Sequence, residues 1–201
     1  MAKIKQSPKL PAEKRRQQLL SAARKLFVKK GFRGTTTDEI ARKARLTKGA
    51  LYHHFGCKED ILFALLEDLS AQYKRALEPL TGRRNISPMD IFEALLHTHK
   101  SEDLAEFRNL IDVWVQAIRI PRIMKSLTEG YQELADKLAA FMDPAFGRTL
   151  RERRELVLFT FAFYDGVASR KCVNPDVIDV TSQSKLFARC TNALKSATAA
   201  K

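Results

Sequence analysis

An all-α fold is what the 201-residue sequence predicts, and three observations predict it. Apolar residues recur at three- and four-residue spacing through long segments, which gathers them on one face of a helix. Those segments are separated by breaks at Pro79 to Pro88, near Pro121, at Pro144 to Gly147 and around Asn174 to Pro175. No stretch alternates apolar and polar residues in the manner of a half-buried strand. With 45% apolar residues, the chain can bury a substantial core in one or two domains.

Residues 1–11, MAKIKQSPKLP, are expected to form a flexible basic arm, because they carry lysines and two prolines but no apolar run. In the helical segment that follows, Leu26 and Phe27 read as core. Thr36 and Glu39 stand three apart and fit a capping box, so a helix begins near Thr37. It buries Ile40, Ala41 and Ala44 and turns Arg42, Lys43 and Arg45 outward. Thr47 caps the next helix, whose inner face carries Leu51 and Phe55. Gly49, Tyr52 and His53 fall on its opposite side, with Lys48 and His54 flanking.

A longer helix is expected from about Lys58 to Leu77. From Asp103 to Arg119, the residues Leu104, Phe107, Ile111, Trp114, Val115 and Ile118 form an apolar stripe that Leu110 and Ala117 widen beyond what one helix contact needs. Most of it reads as core; the part around Phe107, Leu110 and Trp114 suits the lining of a cavity for a small apolar or aromatic molecule. Glu155 to Ala168 is apolar round almost its whole circumference. Phe159 and Phe163 share one face and Phe161, Tyr164 and Ala168 another, so one face is expected inside the subunit and the other against a second copy. On this reading Phe159 and Phe163 join the candidate lining. The last helix, about Val180 to Ser196, carries Leu186, Phe187, Cys190, Ala193 and Leu194 in a single stripe.

The chemistry concentrates between Thr36 and Lys58. A helix of eight or nine residues does not hold alone in water, so it docks on its neighbours and leaves its polar face free. The major groove of B-DNA, roughly 12 Å wide, admits one α-helix, and a helix start bearing Lys, Tyr, His and a side-chain-free Gly suits base edges and phosphates. Charge agrees. Residues 1–60 hold 16 Lys and Arg against 5 Asp and Glu, leaving only +2 of the net +13 for the remainder. That segregation is the footprint of a duplex-binding module joined to a near-neutral partner domain.

Other function classes find little support. Cys57, Cys172 and Cys190 are too scattered for a disulfide framework or a metal set, and His97 and His99 point to different sides of a helix. No Gly-rich phosphate loop, nucleophile elbow or paired-carboxylate arrangement is present. The sequence is therefore expected to need no cofactor or metal and not to be an enzyme. No apolar run reaches the roughly twenty residues of a membrane span, and a cytoplasmic location is expected.

The segments AARKLFVKKGFRGTTTDEIA (Ala22 to Ala41), LTKGALYHHF (Leu46 to Phe55) and CKEDIL (Cys57 to Leu62) strongly resemble the TetR family of bacterial transcriptional regulators. The resemblance implies about nine helices in total: a three-helix helix-turn-helix DNA-binding domain over residues 12–60, joined by the long helix to an α-helical ligand-binding and dimerisation domain over residues 61–201. It also implies that Thr37, Thr47, Lys48, Gly49, Tyr52, His54 and Lys58 touch DNA. Lys48 and Gly49 are expected at base edges, and Tyr52, His54 and Lys58 at phosphates. His53 is open to either role or to solvent alone. Two positions depart from the family pattern: Arg45 stands where many relatives have Gly, and Cys57 where a better helix cap is usual.

The last two helices look like the family's dimerising pair, and DGVASRKCVNPDVIDV (Asp165 to Val180) resembles the link between them in one regulatory-domain subtype. The interface is then expected at Phe161, Tyr164, Ala168, Phe187, Cys190 and Leu194, with Gly166 permitting close helix approach. The implied function is that of a homodimeric repressor, released from a palindromic double-stranded operator by a small apolar or aromatic effector. The alternative is a ligand-independent or activating regulator with the same head.

Overall fold

The structure, a computed structural model, describes residues 11–97, 115, 119–174 and 176–199. All but Pro11 of the expected basic arm, and Phe107, Leu110 and Trp114 of the expected cavity, lie outside the described residues. The chain divides into two compact units, Met1–Glu67 and Asp68–Lys201.

The first unit holds α1 (Ala12–Lys30), α2 (Thr37–Lys43), α3 (Lys48–His54) and the start of α4 (Lys58–Leu77). Its core is made by Leu19, Leu20, Ala23 and Phe27 of α1 with Phe32, Ile40, Leu51, Phe55, Ile61 and Leu62, all buried. Phe27 and Phe32 meet edge to face at 5.3 Å. Seven-residue helices such as α2 and α3 are below the length that is stable alone, so this packing rather than propensity holds them.

The second unit contains the rest of α4, a 3-10 turn at Glu78–Leu80, α5 (Pro88–Leu96), α6 (Pro121–Phe141), a second 3-10 turn at Pro144–Phe146, α7 (Leu150–Val173) and α8 (Val180–Ala199). Local chemistry marks its helix starts. Ser87 with Asp90, and Thr149 with Glu152, form capping boxes at α5 and α7, and prolines open α5 and α6. Tyr73, Leu77, Ile91, Phe92, Leu138, Ala139, Val157, Phe161, Tyr164 and Phe187 form one buried cluster. An isolated parallel bridge between Ile86 and Met142 ties the loop before α5 to the end of α6. Lys195 of α8 is bonded to Asp143 at 2.8 Å. Among the described residues there are eight α-helices and no strand.

The two apolar faces of α7 take the roles opposite to those expected. Val157, Phe161, Tyr164 and Val167 point into the subunit, whereas Phe159 is 52% exposed. Phe161 and Tyr164 are therefore core residues and not interface ones, and Phe187 is buried between Phe92 and Phe163. Phe163 sits at the seam, half-buried and stacked on Phe187 at 4.7 Å. The physical reason is the ring lattice: Tyr164 meets Tyr73 and Phe92, and Phe161 meets Tyr131, all edge to face, which turns this side of α7 inward. Cys190 and Leu194 are exposed as expected for a surface stripe, and Ala168 is half-buried.

Candidate nucleic-acid interface

The turn between α1 and α2 sets the first angle of the head. A Cβ at Gly34 would lie 2.5 Å from the Lys30 carbonyl oxygen, so that close approach requires glycine. Buried Thr35 donates to the Gly31 carbonyl at 2.9 Å. At the start of α2 the capping box is complete: the Glu39 N–H donates to Thr36 Oγ1 at 3.2 Å, and the Thr36 N–H donates to Glu39 Oε2 at 3.0 Å. Lys30 also pairs with Glu39. That ammonium foremost, then the Thr36 N–H, holds the Glu39 carboxyl down at about 2.

The turn from α2 to α3 is a Schellman motif. The Leu46 N–H donates to the Ala41 carbonyl at 2.9 Å and the Arg45 N–H to the Arg42 carbonyl at 3.0 Å. Arg45 takes the left-handed position of that motif with φ 56°. The Thr47 hydroxyl then caps α3 by accepting from the Ala50 N–H at 3.1 Å. Leu51 and Phe55 are buried under α3, and Arg16 of α1 lies over the Phe55 ring at 5.6 Å. Lys48, Gly49, Tyr52 and His53 are exposed on the outer side.

This outer side is preorganised by contacts between helices. The Thr37 and Tyr52 hydroxyls are 3.3 Å apart, and Lys48 Nζ is 2.8 Å from Asp38 Oδ1 and 6.0 Å from the centre of the Tyr52 ring. The Asp38 carboxylate raises the Lys48 pKa, so the ammonium is fully charged at neutral pH. A Cβ at Gly49 would find only Thr47 Oγ1, at 3.9 Å, so nothing within the head demands glycine there; its bare backbone is open to an incoming surface.

The remaining expected contacts are placed differently. His54 is half-buried, and burial first, then the charges of His53, Arg15 and Arg16, lowers its pKa and leaves it neutral at pH 7. Lys58 points its ammonium inward, donating to the Phe32 and Thr35 carbonyls at 2.7 and 2.8 Å over the Phe32 ring. It thereby fastens the start of α4 to the α1–α2 turn. At Cys57, Asp60 supplies what the thiol does not, accepting from the Cys57 N–H at 3.1 Å. Burial pushes the Cys57 thiol up, so it stays protonated and weakly nucleophilic at neutral pH.

Asp38, the partner of Lys48, carries no local signal in the sequence. It stands ten residues away on another helix, and only the angle between α2 and α3 brings the two together. In the second unit, a groove of about 320 Å³ is lined by Met124, Leu127, Thr128, Tyr131, Arg154 and Leu158, among others. The Tyr131 hydroxyl donates to Asp165 Oδ2 at 3.1 Å, and burial lifts the Asp165 carboxyl to about 6. Among the described residues, no group of His, Cys, Asp and Glu could hold a metal ion, and no helix is long and apolar enough to cross a membrane.

A short helix with an exposed basic, aromatic face, set by a Schellman turn against a capped supporting helix, is the arrangement of a helix-turn-helix DNA-binding head. Residues 19–65 match the family described as "Bacterial regulatory proteins, tetR family". The chain is 45% identical over 78 residues to the HTH-type transcriptional regulator HbdR of Aromatoleum sp. (strain CIB), covering 37% of this chain and 34% of HbdR. It is 33% identical over 134 residues to the uncharacterized HTH-type transcriptional regulator YvkB of Bacillus subtilis (strain 168), covering 60% of this chain and 66% of YvkB. The chain thus spans less than two thirds of either relative's length. The crystal structure of the multidrug binding protein EbrR, complexed with imidazole, shares the fold with a TM-score of 0.63 at 19% identity, over 87% of this chain and 93% of that one. Residues 19–65 thus match the TetR family of bacterial regulatory proteins.

Proposed function

We propose that the chain is a homodimeric repressor that holds two reading heads on a palindromic operator and is released when a small apolar or aromatic effector enters the second unit. The observation that carries the dimer is a set of exposed apolar side chains on α7 and α8. Phe159, Leu186 and Leu194 are each about half exposed, at 52%, 49% and 46%, beside Cys190 and Ala193. Exposed apolar side chains of this kind suit an interaction face, and a two-fold axis lets such a face satisfy itself. The interface residues are therefore Phe159, Leu186, Cys190 and Leu194, in place of the inward-facing Phe161, Tyr164 and Phe187.

In this reading Lys48 and Gly49 meet base edges, Thr37, Thr47 and Tyr52 meet the backbone, and Lys58 positions the head from behind. His53 is the outward imidazole and His54 a neutral neighbour. Two heads must sit roughly 34 to 36 Å apart to enter successive major grooves, so an effector that prefers any other spacing dissociates the complex. EbrR, which shares this fold, is a multidrug binding protein complexed with imidazole, and a small-molecule guest for this chain is in keeping with that. The Tyr131 groove, with Leu127 and Leu158 on its walls, is the described surface that suits an aromatic guest.

The test is a charge placed on this face. Leu194→Glu is expected to sediment as a folded monomer and to lose the two-half-site footprint while keeping weak, salt-sensitive DNA binding. A dimer of unchanged affinity would refute the assignment. Reporter output on removing the protein decides between repression and activation, and added effector decides whether release occurs.

A further inference from the structure

We infer that Asp38 and Lys48 act as one composite reader of a G·C base pair, with Asp38 a specificity-determining residue; the inference rests on Lys48 being a base-edge contact.

Asp38 is the second residue of α2 and Lys48 the first of α3. Their 2.8 Å contact lies beside the Thr37–Tyr52 hydroxyl contact, so the starts of the two helices present a single polar surface. Both side chains are more than half exposed, at 57% for Lys48 and 55% for Asp38. A carboxylate on a face built to meet phosphates works against binding. An acid is welcome in the first turn of a helix, but Glu39 already fills that role through the capping box. Asp38 therefore needs another reason to be there, and its geometry supplies one.

Pairing changes what Lys48 can do. The attraction of its ammonium to distant phosphates is offset by the carboxylate beside it, while short-range hydrogen bonding survives. Its flexible stem is also held in one direction before DNA arrives, which lowers the ordering cost on binding. An ammonium has three N–H donors, so two remain when one is given to Asp38, and Asp38 keeps spare acceptor positions. In the major groove a G·C pair offers two adjacent acceptors, guanine N7 and O6, and then one donor, cytosine N4–H. Two donors beside one acceptor complement that edge. An A·T pair places its donor between two acceptors and adds a methyl group, so the same pair of side chains leaves a bond unmade.

The experiment is binding-site selection from randomised duplex DNA with the full chain, run for wild type, Asp38→Ala, Asp38→Asn and Lys48→Ala, together with affinity for random duplex against salt and thermal unfolding. Wild type is expected to demand G·C at one position of each half-site. Asp38→Ala should weaken that preference about tenfold or more, raise affinity for random duplex, and steepen the salt slope by about 0.9 as the freed Lys48 turns to a phosphate. Asp38→Asn should move the preference toward adenine, which an amide reads through N6 and N7. An unchanged Asp38→Ala profile beside a relaxed Lys48→Ala profile overturns the composite reader and leaves Lys48 as a reader alone. An unchanged Lys48→Ala profile overturns both. A uniform loss of affinity that tracks a lower unfolding temperature makes Asp38 a helix-start acid only, and also overturns the inference.

Discussion

Arg45 occupies a left-handed position, φ 56°, where α2 gives way to α3. A side chain there costs on the order of 1 kcal/mol relative to glycine, because Cβ crowds the following carbonyl. Arg45→Gly is therefore expected to raise stability by up to about 1 kcal/mol in urea unfolding. A lowered midpoint would mean that the arginine's contacts outweigh the strain. Asp165 presents a different conflict. Tyr131 donates to it, Tyr73 and Tyr164 lie near, and burial raises its carboxyl from 3.8 to about 6. A raised carboxyl favours the protonated form in the folded state. Its stability is fully present below pH 4 and is lost as the pH climbs through about 6. Two units correspond to about 3 kcal/mol at most. Asp165→Asn should therefore exceed wild type in stability by up to that amount at pH 8 and by nothing at pH 4, measured by urea unfolding across the range. An equal difference at both pH values would remove the carboxyl's ionisation as the cause.

At the scale of elements, the starts of helices were legible because capping is local chemistry. Thr36 with Glu39 marks α2, Thr47 marks α3, and the expected span Lys58 to Leu77 coincides with α4. Ser87 with Asp90, and Thr149 with Glu152, carry the same signal for α5 and α7. What periodicity does not contain is the partner of each face. On α7, apolar on every side, the spacing separates Phe159 from Phe161 without saying which turns inward, and Tyr73 and Tyr131, on other helices, decide it. The inward bond of Lys58 spans 26 residues to Phe32, and the Asp38–Lys48 pair crosses a turn. Both depend on interhelical angles that no single segment encodes. A lysine at a helix start reads as a phosphate contact until the carbonyls that claim it are in view.

For the whole molecule, Gly166 shows that the subunit does not account for its own sequence. It sits inside α7, where glycine costs roughly 1 kcal/mol relative to alanine. A Cβ added there would find no atom within 4 Å, so nothing among the described residues forbids alanine. Along the same face lie exposed Phe159, Ala162 and Val173, and α8 offers Leu186, Cys190 and Leu194. A second copy crossing Gly166 closely would explain both the bare backbone and the uncovered side chains, since close helix approach is what a missing Cβ permits. Two substitutions separate this from chance. Gly166→Ala should stabilise the isolated subunit by about 0.5–1 kcal/mol while weakening self-association, so the two quantities move in opposite directions. Gly166→Leu should yield monomers in sedimentation equilibrium with helix content retained, and operator affinity should fall to that of a single head. A Gly166→Leu dimer of wild-type affinity would place the crossing elsewhere on α7 and α8 and leave the glycine without a role in assembly.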